Sequence, residues 1–523
     1  MAYLMGIDLG TSSVKVLIVS ENGEILAKSS SKYPILTPTQ GWAEQDPRRW
    51  WIAVREAVKS ALQRSHIKAR EIKGIGLSGQ MHGTVILGDS LEVLRPAIIW
   101  ADSRSRDQCK EIYEKFGRDE ILKITCNPIM PGFMAPSLLW VKENEPKIFR
   151  KIRKVLLPKD YIRFKLTGSL NTDFSDASAT LLFDVRKREW SSEIISFLGL
   201  EESILPEIRE SIDVAGEISE NASKEIPIPE GIPVVTGGGD SPVGAIGCGL
   251  IEPGAASVNI GSAGQVFIVL ESPRVDPKYR IHTFCHAVPN RWYLQGAILS
   301  AGLALDWLIR SLELSKLFEK REVEVYDQLF KEAESVAPGS EGLIFLPYLL
   351  GERSPHMDPQ ARGAFFGLTI NHRRPHLVRA VLEGVAYALR DSLEVFKEMN
   401  VKIERMIARG GGARSKIWRR IIAEVLGYQI LTVEVEEAAF GAALLAGVGS
   451  GIYKDLEEAI KMTMKIKEVI SPNQDVTKTY EHYYQLYRSL YPILGDRFKA
   501  LDKLSFPEFY SKKSIEGLYT MIL

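Results

Sequence analysis

The sequence predicts an α/β protein made of two similar lobes. Three observations predict it. The chain opens as strand, glycine-hydroxyl turn, strand; the same pattern returns some 250 residues later; and strongly periodic helices alternate with short β-rich runs. At 523 residues, 45% hydrophobic and 25% charged, the chain is long enough for two or more domains and has an ordinary globular composition.

The first elements follow in order. Tyr3 to Leu9 is mostly apolar and ends at Gly10-Thr11-Ser12, and Val14 to Val19 is again β-rich. Glu21-Asn22-Gly23 signals a hairpin into residues 24–28. Asp46-Pro47 is a good N-cap followed by a good first helical residue, and Trp50, Val54, Val58, Ala61 and Leu62 keep the helical period. Ile72 to Leu77 returns to strand.

The repeat is seen when Val258-Asn259-Ile260-Gly261-Ser262-Ala263-Gly264-Gln265-Val266 is set under Ile7-Asp8-Leu9-Gly10-Thr11-Ser12-Ser13-Val14-Lys15. Both are strand, glycine, hydroxyl residue, small residues, strand. Two such hairpins suggest a nucleotide between the lobes; each alone is also an ordinary turn. Later, Leu377, Val381, Val385, Leu389, Leu393 and Phe396 share one helical face and read as core packing. Lys402 to Arg409 is a short strand into Gly410-Gly411-Gly412, and Ser415 to Leu426 reads as helix. The tail after about Leu490 carries no clear pattern.

Several function classes are disfavoured. Lysine plus arginine number 66, as do aspartate plus glutamate, so no basic footprint for nucleic acid or membrane stands out. Four scattered cysteines (Cys109, Cys126, Cys248, Cys285) lack metal-ligand spacing and fit a reducing, cytoplasmic setting. The N-terminal residues lack the basic region of a signal peptide, and no apolar run approaches the ~18 residues of a membrane span. No G-x-x-x-x-G-K-[ST] occurs. Gly74-Ile75-Gly76-Leu77-Ser78-Gly79 matches G-x-G-x-x-G, but a loop and a strand follow it where a dinucleotide fingerprint needs a helix.

The remaining motifs point to phosphoryl transfer. Gly10, Thr11 and Ser12, with Lys15 beyond, offer turn N–H groups and hydroxyls to phosphate, and Asp8 could hold the water shell of Mg²⁺. The alternative is a hairpin whose aspartate caps the turn. Gly237-Gly238-Gly239-Asp240 leaves a strand over Ile232–Thr236 and enters a small-residue helix. An ordinary aspartate, with a pKa of about 4, is ionised at neutral pH and could take a proton from an accepting hydroxyl; otherwise Asp240 is an N-cap. His82 lies in a polar loop between apolar strands, open to ligand contact or to a structural role. Gly410-Gly411-Gly412 could face an adenosine, or simply join strand to helix.

As a set, these motifs resemble the FGGY carbohydrate kinases, and within them the xylulokinases, over residues 3–495. The resemblance rests on Ile7 to Ser12, Trp42 to Pro47, Gly79-Gln80-Met81-His82-Gly83, Arg95 to Arg104, Leu157-Pro158-Lys159-Asp160-Tyr161, Thr172-Asp173 with Ser175-Asp176-Ala177-Ser178, Gly237 to Asp240, Gly261 to Gly264, Gly351-Glu352-Arg353, Gly363 to Leu368, His376-Leu377, Ala380 to Glu383, and Gly410 to Gly412 with Ser415. It implies two ribonuclease H-like, actin-like lobes: a sugar-binding lobe over 1–245 and an ATP-binding lobe over 246–495, then an extension over 496–523. It implies ATP and Mg²⁺ as cofactors, the metal lying near Asp8 (through water) and Asp240. A ketose, D-xylulose first, would lie against Gln80, Met81, His82, Trp100, Asp240 and Ser241, with Asp240 as the base. ATP would lie against Gly10, Thr11, Ser12, Lys15, Gly261, Ser262, Gly264, Gly411, Gly412 and Ser415. A homodimer is implied, with no nucleic-acid or membrane partner. Departures are Met134 and Ser137 in the N-terminal signature, Ser262-Ala263 for a more usual Thr-Ser, and Ser241 where xylulokinases usually carry Asn; an amide and a hydroxyl offer different donors to a sugar. Ribulose, fuculose or another polyol is the alternative substrate, and a non-catalytic actin-like regulator the alternative class.

Overall fold

The computed structural model describes residues 2–314 and 322–505. Each half of the chain builds one seven-stranded mixed sheet. The first contains β1 (Tyr3–Leu9), β2 (Ser13–Ser20), β3 (Ile25–Lys32), β4 (Ile72–Gly79), β5 (Val214–Glu217) and β6 (Pro233–Val235), in the order β5-β6-β4-β1-β2-β3, while Gly238–Gly239 adds a short stretch beside β4. The second contains β7 (Ala255–Ile260), β8 (Gly264–Leu270), β9 (His282–Cys285), β10 (Trp292–Ile298), β11 (Arg405–Arg409), β12 (Ile430–Val433) and β13 (Ile466–Ile470), in the order β9-β10-β8-β7-β11-β12-β13.

The repeat is therefore a repeat of topology. In each sheet a glycine hairpin joins two antiparallel strands (β1 to β2, β7 to β8), and the first of them also pairs in parallel with a later strand (β4, β11). Asp8 lies opposite Ser78, and Asn259, its counterpart, lies opposite Arg409. The lobes thus match in backbone and differ in charge at equivalent positions.

Helices cover the sheets. In α1 (Pro47–Ser65) the Asp46 carboxylate caps the Arg48 N–H and Pro47 opens the first turn, as the sequence predicts. Next come α2 (Pro158–Thr167) and α3 (Asp240–Gly247). The long α4 (Arg374–Glu398) buries the predicted apolar face, with Leu377 at its margin. Its opposite face is buried too, because Arg379, Glu383 and Asp391 pair with tyrosines of a later helix. After α5 (Lys416–Leu426) and α6 (Ala438–Gly449), the chain ends in α7 (Gln474–Ser505). Here the structure supplies what the sequence left unassigned: the segment beyond Leu490 continues as helix through Pro492, because Tyr480, Tyr484, Tyr487 and Leu490 lock its preceding turns into the core. Residues 506–523, the rest of the expected extension, lie outside the described residues.

One packing contact places the two halves. Helix α6, from the second half, lies on β1 and β4 of the first sheet and against α3. The approach is backbone to backbone. A Cβ on Gly6 would come within 1.7 Å of the Ala439 carbonyl oxygen, one on Gly76 within 1.8 Å of that of Ala442, and one on Gly441 within 1.9 Å of that of Val243. This explains Gly74 and Gly76: they are a flat bed for a helix, not a dinucleotide turn.

Candidate active site

The two hairpins carry the predicted phosphate residues at their tips. Ser12 and Lys15 are exposed, Thr11 half-buried. The first turn is braced from behind. The Gly10 N–H donates to the Ser13 carbonyl at 3.1 Å, the Tyr33 hydroxyl donates to the Gly10 carbonyl, and Gln45 Nε2 donates to the Thr11 carbonyl at 2.6 Å. In the second hairpin Ser262 is exposed and Gly264 packs so closely on Ile298 that a Cβ would lie 2.6 Å from its Cγ1. Its turn carbonyls at Gly261 and Ser262 receive the N–H groups of Gly302, Ala301 and Leu303 at 2.8–3.1 Å. At the third glycine turn, open space surrounds the missing side chain of Gly411, whereas Gly412 abuts Ile260 and Trp418. The Ser415 hydroxyl caps α5 by accepting the Trp418 N–H at 3.4 Å.

Asp8 stands at the end of β1, buried, its Oδ1 accepting from the Ser78 hydroxyl at 3.1 Å. Burial raises its pKa, Lys15 and Ser78 oppose the rise, and Glu437 adds to it. Asp240 lies across from it, because β6 and the glycine turn run parallel to β4. Gly237 makes that turn possible: its φ is +74°, and a Cβ would sit 2.2 Å from the Leu77 carbonyl oxygen. Asp240 is not an N-cap. Gly239 holds that position and Asp240 is the first helical residue, with the Ser241 N–H turned to its carboxylate. Nor is it an ordinary aspartate. Burial, then the Asp8 charge, push its pKa to about 7, against the pull of Ser241, Arg409 and Lys15.

Beside Asp240 the residues 80–82 divide their labour. Gln80 is 1% exposed, and its Nε2 donates to Gln45 Oε1 at 2.8 Å. Trp50 donates to the same oxygen at 3.1 Å. Gln45 therefore ties residues 80–82 to the Gly10–Ser12 turn, a role its place before a helix cap did not reveal. Met81 packs against Gly239 and receives the Tyr293 hydroxyl at 3.7 Å from Sδ. His82 has φ +72°, a conformation costing a non-glycine residue roughly 1–2 kcal/mol. It is held there by its Nδ1 at 2.7 Å from the Ala179 carbonyl and by the Phe133 ring at 3.8 Å between centroids. Burial, outweighing the Ala179 bond, lowers its pKa to about 4. His82 is thus neutral at pH 7, its proton on Nδ1 facing the carbonyl, which leaves Nε2 as an acceptor. Trp100 is 40% exposed, and its indole N–H donates to Thr11 Oγ1 at 2.9 Å, so a residue expected on the sugar touches one expected on phosphate.

The sheets thus bring Asp8, Lys15, Asp240 and Arg409 together at the strand ends, with Met81, His82 and Tyr293 to one side. Among the described residues no group of three or more acids, histidines or cysteines could hold a metal by itself. The adjoining carboxylates of buried Asp8 and half-buried Asp240 instead fit a cation that takes most ligands from water and phosphate, which is the habit of Mg²⁺.

Comparison with known proteins decides the family. The model of the N-terminal domain of the FGGY family of carbohydrate kinases matches residues 3–247, and that of the C-terminal domain matches residues 256–450. The chain belongs to this family. Among FGGY relatives, the xylulose kinase of Bacillus subtilis (strain 168) is 37% identical over 502 residues, covering 96% of this chain and 99% of that protein. The gluconokinase of the same organism is 32% identical over 509 residues, covering 96% and 98%. The crystal structure of a xyloylose kinase from Brucella ovis superposes with a TM-score of 0.86 at 38% identity, covering 94% of this chain and 99% of that one. This FGGY chain is a carbohydrate kinase: it transfers phosphate to a sugar alcohol group, and the two-lobe, actin-like fold expected from the sequence is the fold of its neighbours. Among the described residues no helix is long and apolar enough to cross a membrane.

Proposed function

We propose that this carbohydrate kinase transfers the γ-phosphate of ATP to D-xylulose, with Asp240 as general base. The single observation that carries the mechanism is the Asp240 carboxyl on the cleft wall, held near pKa 7 by burial and by Asp8. A base is most effective when its pKa lies near the working pH, and this one is half ionised there while remaining strong enough to accept a hydroxyl proton. Asp240 takes the proton of the attacking hydroxyl; His82 Nε2 accepts a hydrogen bond from another hydroxyl and so orients the sugar; Met81, backed by the buried Tyr293, gives it an apolar wall. The Gly10–Ser12 and Gly261–Gly264 turns hold the phosphates, with Lys15 adjacent, while Gly411 leaves room for the nucleoside. Asp8 and Asp240 would hold Mg²⁺, which supplies neutralising charge to the phosphates. Four free, buried cysteines suit a cytoplasmic enzyme.

The choice of D-xylulose rests on the resemblance to xylulose kinases and on the Met81-His82 pair. Ser241, half-buried beside the base, is the residue through which another sugar would be admitted. Purified enzyme with Mg-ATP, assayed by coupled ADP release over D-xylulose, D- and L-ribulose, L-fuculose, gluconate and glycerol, should show its highest kcat/KM with D-xylulose. A higher value with another acceptor replaces the substrate and keeps the mechanism; no stimulation by any acceptor refutes the catalytic reading.

A further inference from the structure

Beneath the catalytic turn lies a cluster of five charged side chains, all fully excluded from solvent: Lys159, Asp160, Arg163, Asp173 and Asp176. Lys159 Nζ is 2.6 Å from Asp160 Oδ1, 2.9 Å from Asp173 Oδ1 and 3.0 Å from Asp176 Oδ2, and Arg163 Nη1 is 2.8 Å from Asp160 Oδ1. Such a group is a costly way to stabilise a fold, because desolvating ions consumes most of what their attraction returns. Its placement indicates another use.

The cluster grips the chain that carries Asp240 at three nearby points. Arg163 Nη1 donates to the Thr236 carbonyl at 2.7 Å. The Gly237 N–H donates to the Ser211 carbonyl at 3.0 Å, and the Ser211 hydroxyl in turn donates to Asp173 Oδ2 at 3.0 Å. The Gly239 N–H donates to Ser175 Oγ at 3.0 Å, and that hydroxyl donates to the same Asp173 Oδ2 at 2.5 Å. Glycines have no side chain by which a turn can be packed into place, so these bonds fix the triple-glycine exit together with its pairing to β4. Gly239 immediately precedes the base, which makes Ser175 the last link between the cluster and Asp240.

We propose that the buried cluster is a clamp that sets where Asp240 stands, with Ser175 and Asp173 as positioning residues for phosphoryl transfer. The proposal rests on Asp240 being the base. Two cations face three carboxyls; burial, then the neighbouring Asp173 and Asp160, raise the pKa of Asp176 well above the ordinary range despite Lys159. The clamp acts through geometry, by the hydrogen bonds that hold Thr236, Gly237 and Gly239.

The test uses the full-length enzyme with its best acceptor sugar and Mg-ATP. Ser175→Ala removes the Gly239 anchor. Ser178→Ala removes an equally buried hydroxyl that donates to the Ser175 carbonyl at 2.8 Å and receives the Cys285 N–H at 3.0 Å, without touching the turn. Both should lower the melting temperature by similar amounts. Only Ser175→Ala should lower kcat, by about tenfold, as expected for the loss of roughly one hydrogen bond's worth of transition-state alignment. It should leave the ATP KM near the wild-type value. Ser175→Cys keeps the shape with a weaker acceptor; it should fall between and gives the answer if the alanine variant does not fold. Equal kcat values for the Ser175 and Ser178 variants overturn the clamp. Asp240→Asn distinguishes the two failures: if it destroys turnover while Ser175→Ala and Ser175→Cys do not, the clamp alone is wrong, and if it retains turnover, the base is.

Discussion

Replacing Asp240 by Asn should impair the enzyme and stabilise the protein, and the stabilisation should depend on pH in a particular way. In the folded chain the carboxyl is raised from 3.8 to about 7, so its charged form is disfavoured there relative to the unfolded chain. Below about pH 4 both states are protonated and the group is neutral to stability. Between about 4 and 7 the unfolded chain ionises and the folded one resists, so stability is lost as pH rises; above 7 the loss is complete. Converted at about 1.4 kcal/mol for each tenfold, the rise amounts to about 4 kcal/mol. The carboxyl is half-buried and opens on the cleft, where water screens part of this, so about 2 kcal/mol is the working figure. For a lobe of about 250 residues that is about 4–8 °C. Thermal unfolding of the ligand-free wild type and variant at pH 4, 5, 6, 7 and 8 should give nearly equal midpoints at pH 4 and a difference that grows to a plateau near pH 7–8 in favour of the variant. Turnover of Asp240→Asn should fall at least about a hundredfold with sugar binding retained. In the wild type, kcat/KM should fall about tenfold per pH step below 7. A variant that melts no higher than the wild type at pH 8, or a difference flat with pH, refutes the buried-charge reasoning even if activity is lost.

Three further outcomes are expected. His82→Ala should raise the sugar KM about three- to tenfold, the worth of one hydrogen bond, with little change in kcat; because His82 is neutral throughout, the wild-type sugar KM should show no step near pH 6.5, and an unchanged KM would make the residue structural. Lys159→Met should cost about 3–5 kcal/mol in urea unfolding at pH 7 by leaving three buried aspartates without their shared cation, and less at pH 5; a loss under 1 kcal/mol would show that the cluster relaxes to water. Gly76→Ala should abolish the native fold, since its methyl would stand 1.8 Å from a backbone oxygen, whereas Gly495→Ala in α7, with nothing within 4 Å, should raise the melting point slightly; equal tolerance would contradict the packing of α6.

The backbone of the site was legible where local rules act alone. The hairpin at Gly10, the Asp46 cap, the exit at Gly237 and the repeat at Gly261 each follow from turn and cap chemistry within a few residues. Less legible was what depends on residues far apart in the chain. Gln45 looks like a residue before a helix; only the fold sets it between Thr11, Trp50 and Gln80. Asp240 looks like an ordinary carboxylate; its raised pKa comes from the walls around it and from Asp8, 232 positions away. Lys159, Asp173 and Ser175 stand out in the sequence only through resemblance to the family, since no local pattern shows that they meet under Gly239. Pro492 and the dense aromatics hid the helical period of α7, which is imposed by the tyrosines that dock on α4.

The placement of α6 has a consequence for how the chain is made. The face of β1 and β4 that it covers is complete by residue 79, but the covering helix ends at residue 449. At roughly 5–20 residues per second of synthesis, those strands wait about 20–75 seconds for their partner. During that interval the nascent first half displays an unroofed strip of strand backbone flanked by Leu4, Leu17 and Val19. A fragment ending near residue 245 keeps that strip bare permanently. Such a fragment would be a client for a chaperone, or a seed for aggregation, and supplying residues 438–449 in trans should rescue its solubility.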